Sequence, residues 1–134
     1  MERESDIFEQ GKLFEYEMTP DLHVNGDRRR IELMMNALLD NAVKYTPEGG
    51  AVRLVLNRDR KQRIRAVLSN SGNPISEHDL EKIFDRFYRV DPSRARDTGG
   101  YGLGLCVARS IAELHGGTIT AECKNKINVF TVFF

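Results

Sequence analysis

Neither charge is in excess in this 134-residue sequence: 20 Lys and Arg stand against 20 Asp and Glu. A protein that neutralises many phosphates needs a basic surplus, so composition gives no electrostatic case for DNA or RNA as a partner. The one basic run, Arg28-Arg29-Arg30, reads as the solvated first turn of a helix. Cysteine is scarce. Cys106 and Cys123 are too few and too far apart for a disulfide framework, and their apolar surroundings read as buried thiols of a reducing compartment. No apolar run approaches the ~18 residues of a membrane span. Residues 1–10 are too charged for a secretory signal. The expected location is therefore cytoplasmic, without direct membrane contact, even if the parent protein is membrane-anchored. His23, His78 and His115 lack Cys or acidic partners at ligand spacing, which argues against zinc, and none stands in a Ser-His-Asp setting. Internal repeats, linkers and low-complexity stretches are also missing, so residues 1–134 read as a single domain.

What is present falls into alternating short elements. Residues 12–19 put Phe14, Tyr16 and Met18 on one side of a strand, and Leu22-His23-Val24 suggests a short second edge. Asp27 is a good N-cap for a helix reaching about Tyr45, whose Ile31, Met34, Met35, Leu38, Leu39, Ala42 and Val43 have the spacing of a buried face. Residues 51–57 and 63–69 predict a hairpin around a charged turn at 58–62. Ser76 caps a short helix over 78–83, and a last helix covers 103–115, ending at Gly116-Gly117. Residues 118–123 and 128–134 predict a closing hairpin. Residues 91–101 have no apolar period and read as a mobile loop. This order is not a regular βαβ alternation. It predicts an α+β fold, a two-layer α/β sandwich with a mixed, mostly antiparallel sheet of about five strands packed on three helices.

Three places carry side chains suited to a nucleotide. The stretch Gly99-Gly100-Tyr101-Gly102-Leu103-Gly104-Leu105 is bare backbone opening into a helix. It reads either as a turn with a helix cap or as an anion site built from free N–H groups and the helix dipole. On the first helix, a turn of about 100° per residue lines up Asn41 with Ala37 and Lys44 at one edge of the buried stripe, Tyr45 lying between Asn41 and the core. That flank is either an ordinary solvent edge or a neutral oxygen for Mg²⁺, an ammonium for phosphate and a ring beside a base. Asn70-Ser71-Gly72-Asn73-Pro74 is either a simple Asx-type turn or a base-recognition loop, with Gly72 admitting close backbone approach. Behind it, Phe84 and Phe87 are expected to pack inward, leaving Arg86 and Arg89 to meet solvent or phosphate.

In this order the pieces resemble the catalytic, ATP-binding domain of bacterial sensor histidine kinases, within the wider family of gyrase-type and Hsp90-type ATPases. Asn41-Ala42-Val43-Lys44-Tyr45-Thr46-Pro47 is similar to the family's N box, and Asn70-Ser71-Gly72 to its first glycine box. Phe84-Asp85-Arg86-Phe87-Tyr88-Arg89 is similar to its F box, and Gly100-Tyr101-Gly102-Leu103-Gly104-Leu105 to its second glycine box, with Leu114-His115-Gly116-Gly117-Thr118 continuing the pattern. The resemblance spans residues 27–134. It implies a Bergerat sandwich holding Mg·ATP between the first helix and a lid at residues 91–101. It further implies that Asn41 ligates Mg²⁺, that Lys44 and Arg89 neutralise phosphates, and that Tyr45, Asn70, Gly72, Ile75 and Thr131 surround the adenine. Gly100, Tyr101, Gly102, Leu103, Gly104 and Leu105 would wrap the triphosphate. The implied reaction is transfer of the γ-phosphoryl group to a histidine on a separate dimerisation domain of the same kinase, with a response regulator downstream and the isolated domain a monomer.

Three departures stand out. Asn70 occupies a position where the family usually carries aspartate, which predicts weaker but retained adenine selectivity. Ala37 stands where hydrolytic relatives carry a glutamate base and many kinases an asparagine, which predicts negligible ATP hydrolysis. No His-Glu-x-Arg-like phosphoacceptor segment occurs in these residues, so the substrate histidine is expected on another domain. The competing readings are a degenerate nucleotide-binding regulatory module and an anti-sigma-type serine kinase on the same fold.

Overall fold

Strand segments with a two-residue apolar period join into one five-stranded sheet of order β1-β2-β3-β5-β4 in the computed structural model, which describes residues 11–88 and 104–134. The elements are β1 (Leu13–Met18), α1 (Arg28–Lys44), β2 (Ala51–Arg58), β3 (Ile64–Ser71), α2 (Glu77–Lys82), α3 (Gly104–Leu114), β4 (Thr118–Lys124) and β5 (Ile127–Phe133). Among the described residues only β1 and β2 run parallel; the other three pairings are antiparallel. The mixed sheet and the three helices among the described residues agree with the expected two-layer sandwich. The expected second edge at residues 22–24 does not form. Pro20 and Asp21 (φ 60°) turn the chain out of β1, and three residues before the Asn25-Gly26 approach to α1 are too few to pair.

Register decides which face is core. Phe14, Val52, Asn70 and Asn128 form one row across the sheet, and Leu54, Leu68 and Phe130 belong to the next. Because side chains alternate along a strand, all of these point to the same side, and α1 and α3 cover it. Met34, Leu38, Leu39 and Ala42 of α1 meet Val52, Leu68, Phe130 and Val132 there, with Ala108, Ile111 and Ala112 of α3. Each large side chain buried this way contributes about 1.5–3 kcal/mol. The opposite face, carrying Arg53, Val55, Val67 and Thr131, has no helix over it among the described residues.

Local chemistry ends each element where the chain must turn. Asp27 accepts from Arg30 N at 3.2 Å and caps α1. Between β2 and β3, Asp59 accepts from Lys61 N, Arg63 N and Arg63 Nε at 2.8–2.9 Å, closing the expected charged turn. Partial desolvation opposes the charge of its carboxyl, yet these bonds from Arg63 and Lys61 hold it below the ordinary 3.8. Asn125 and Lys126, both with positive φ, make the tight β4–β5 turn. Both cysteines are free and half-buried rather than fully buried.

Candidate functional site

The C-terminal end of α1 is the first wall. Asn41 is half-buried and Lys44 exposed, on the flank that the helical turn predicts. Tyr45 caps the helix, its N–H reaching Asn41 O at 3.2 Å, and the buried Thr46 hydroxyl donates to Ala42 O at 2.6 Å. These two contacts make the helix end a rigid platform rather than a frayed turn.

The second wall is the segment after β3, and it is pressed against that platform. A Cβ at Gly72 would lie 2.5 Å from Tyr45 O and 3.0 Å from Pro47 Cδ, and Gly72 has φ +147°. Only glycine lets the loop approach so closely. Ser71 Oγ accepts from Ala51 N at 2.9 Å and ties the loop to β2. On the other side Asn128 of β5, fully buried, accepts from Ile75 N with Oδ1 and donates from Nδ2 to Asn73 O, both at 3.0 Å. The Ile75 side chain lies in the hydrophobic core.

Asn70 sits between these two anchors. It is 3% exposed, faces the helix layer in register with Asn128, and its Nδ2 has no hydrogen-bond partner among the described residues. A buried donor left unpaired costs about 1–3 kcal/mol, and native structures keep few of them. Such an atom suits a pocket whose ligand supplies the acceptor.

Facing the α1 flank is the start of α3. A Cβ at Gly104 would meet Ala37 Cβ at 3.9 Å, so the helix that begins at Gly104-Leu105 opens beside Ala37, the residue aligned with Asn41 and Lys44. Ala37 is half-buried and offers no carboxylate there. The candidates Arg89, Gly100, Tyr101, Gly102 and Leu103, with the expected lid, lie outside the described residues. Thr131 does not join the set. Phe130 and Val132 beside it are 1% exposed on the helix side, so Thr131 points to the open face, away from Asn70. The β5 residue beside Asn70 is Asn128, and the alternation of Phe130 and Val132 was the signal that could have found it.

The segment following α2 also differs from expectation. Phe84 packs inward, edge-on to Phe130 at 6.2 Å, with the Arg109 guanidinium 5.9 Å from its ring centre. Phe87 is instead 66% exposed, held outward by a φ of 67°. Tyr88 donates its hydroxyl to Asp79 Oδ1, while Ser76 Oγ donates to Asp79 Oδ2 at 2.9 Å and accepts from Asp79 N. The Tyr88 bond is the main reason the Asp79 carboxyl lies below its ordinary value, and the same bond raises the Tyr88 phenol.

His115 joins the two helices that frame the site. Its Nε2 accepts from Asp27 N at 3.0 Å, which leaves Nδ1 as the protonated nitrogen, donating to Ile111 O at 2.8 Å. A Cβ at Gly26 would lie 2.4 Å from His115 Cδ2, so glycine is needed for this latch. Among the described residues no cluster of three His, Cys, Asp or Glu could hold a metal, and no helix is long and apolar enough to cross a membrane.

Residues 26–134 match the family model described as histidine kinase-, DNA gyrase B-, and HSP90-like ATPase. The probable sensor kinase SilS of Salmonella typhimurium is 44% identical over 99 residues, covering 74% of this chain and 20% of that protein. The catalytic domain of histidine kinase ThkA superposes with a TM-score of 0.83 at 33% identity, covering 98% of this chain and 83% of that one. A second ThkA structure, in complex with response regulator protein TrrA, gives a TM-score of 0.79 at 31% identity over 98% of this chain and 36% of that one. The chain spans about a fifth of the length of the curated relative SilS.

Proposed function

Because the chain belongs to the histidine kinase-, DNA gyrase B- and HSP90-like ATPase family, as a relative of histidine kinase catalytic domains, we propose that it binds Mg·ATP and passes the γ-phosphoryl group to a histidine on a separate dimerisation domain. The observation that carries this reading is the buried Asn70 amide, whose Nδ2 has no partner among the described residues, held between the Gly72 loop on the end of α1 and the Asn128 clamp. An orphaned buried donor between a loop packed on the helix end and a rigid side-chain clamp fits a flat base edge.

Around that base, Tyr45 flanks the ring, Gly72 holds its loop against the end of α1, and Ile75 backs the pocket from the core. Asn41 supplies a neutral oxygen toward Mg²⁺. No acidic cluster among the described residues could hold the metal by itself, so it arrives with the triphosphate. Lys44 and Arg89 neutralise phosphate charge, and residues 100–105, ending at the start of α3, offer backbone N–H groups to the phosphate chain. When bound, Mg·ATP supplies the phosphoryl group. The chain's own residues bind, orient and exclude water, which is most of what phosphoryl transfer requires. Ala37 places no base beside the phosphates, so water is not activated and the phosphoryl group is kept for the histidine. On this reading the domain works in the cytoplasm, with its own kinase's phosphoacceptor domain as direct partner and a response regulator downstream.

Mixing the domain with a phosphoacceptor helical hairpin from a sensor kinase and radiolabelled Mg·ATP tests the proposal. Acid-labile phosphohistidine should form, and Asn41→Ala should lower its rate roughly a hundredfold, the scale of a lost metal-ion contribution. Tight ATP binding with no transfer to any such hairpin would favour a regulatory module instead.

A further inference from the structure

The site as described leaves one property of its ligand open, namely which purine it accepts, and the Asn70 amide bears directly on that. Asn70 is 3% exposed and its Nδ2 is unpaired among the described residues. Its neighbour across the sheet does not relieve it: Asn128 turns Oδ1 to Ile75 N and Nδ2 to Asn73 O. The reading group is therefore a carboxamide whose Nδ2 donor is left for the ligand.

A carboxamide carries one acceptor and two donors on a flat head, and a half-turn about its last torsion exchanges the two ends. An ionised carboxylate only accepts. The six-edge of adenine places an amino donor beside the N1 acceptor. A 6-oxopurine places a carbonyl acceptor beside an N1–H donor. The Asn70 amide complements both edges, in opposite flip states, whereas a carboxylate would face the 6-oxo group acceptor to acceptor. We propose that the amide at Asn70 lets the base pocket admit 6-oxopurine nucleoside triphosphates, of the inosine type, alongside ATP. The proposal rests on the nucleotide-site reading above.

Displacement of a fluorescent trinitrophenyl-ATP by ATP or by ITP, each with Mg²⁺, tests it on the wild-type chain and on Asn70→Asp. In the wild type the ITP and ATP dissociation constants should lie within about tenfold of each other, because each base makes the same number of bonds to the amide. Asn70→Asp should keep ATP binding and widen the ratio by about tenfold or more. A wild-type ratio above tenfold, or a ratio that Asn70→Asp leaves unchanged, overturns the proposal. The wild-type ratio needs no variant, so it decides the matter even if Asn70→Asp fails to fold. Displacement by ATP with none by ITP refutes the inosine inference alone, whereas failure of both refutes the nucleotide site itself.

Discussion

Replacing Asn128 with alanine removes the clamp that holds residues 73–75 in place, and the cost can be worked from its two bonds. Ile75 N–H loses its acceptor in a buried setting, for about 1–3 kcal/mol. Asn73 is exposed, so water can take over part of the bond to its carbonyl and that loss is smaller. The sum is about 1.5–4 kcal/mol, a large part of the ~5–15 kcal/mol expected for a domain. Urea unfolding followed by circular dichroism should show a midpoint lower by roughly 1 M or more with an unchanged slope. Asn128→Asp adds a signature that simple packing loss lacks. Its carboxylate could accept from Ile75 N–H but, once ionised, would face the Asn73 carbonyl, raising the folded-state pKa above the unfolded one. Stability is then present at low pH and lost as pH rises through the folded value, so this variant should be more stable at pH 5 than at pH 8 relative to wild type. A cost below about 0.5 kcal/mol for Asn128→Ala, or no pH dependence for Asn128→Asp, would refute the clamp.

Gly72→Ala forces a Cβ to within 2.5 Å of a backbone oxygen at positive φ and should cost about 2–4 kcal/mol, read by thermal melting. His115→Ala removes the latch at Asp27 N, where water can substitute, and should cost about 1 kcal/mol with faster amide exchange in the first turn of α1. The Asp79–Tyr88 contact lowers the carboxyl and raises the phenol. Its contribution is therefore full between the ordinary values of 3.8 and 10.0, lost as pH falls through the folded Asp79 value and again as pH rises through that of Tyr88. Tyr88→Phe should shrink the acid-side loss of stability, as measured by denaturation between pH 2 and 5 on the scale of ordinary carboxylates.

Much of the frame was readable from spacing. The 3.6-residue period gave α1 and its Asn41–Lys44 flank, and Asp27 and Ser76 cap helices as their residue types require. Turn chemistry gave the β2–β3 loop at Asp59. What escaped depended on distant pairing. Asn128 meets the segment it holds across 53 and 55 positions, and His115 meets Asp27 across 88. No local pattern encodes such contacts. Thr131 was the weaker choice for a different reason, since the apolar period through Phe130 and Val132 already assigned it to the open face. Phe87 looked apolar enough to bury, but the left-handed turn at that residue throws it outward.

Titration calorimetry of Mg·ATP against the wild-type chain, Lys44→Ala and Asn70→Ala tests the central claim most directly. The account predicts one site per chain that needs Mg²⁺ and is weakened about tenfold or more by either substitution, each removing one ligand contact of roughly 1.4 kcal/mol or more. Equal heats for all three proteins, or none in the wild type, would contradict it.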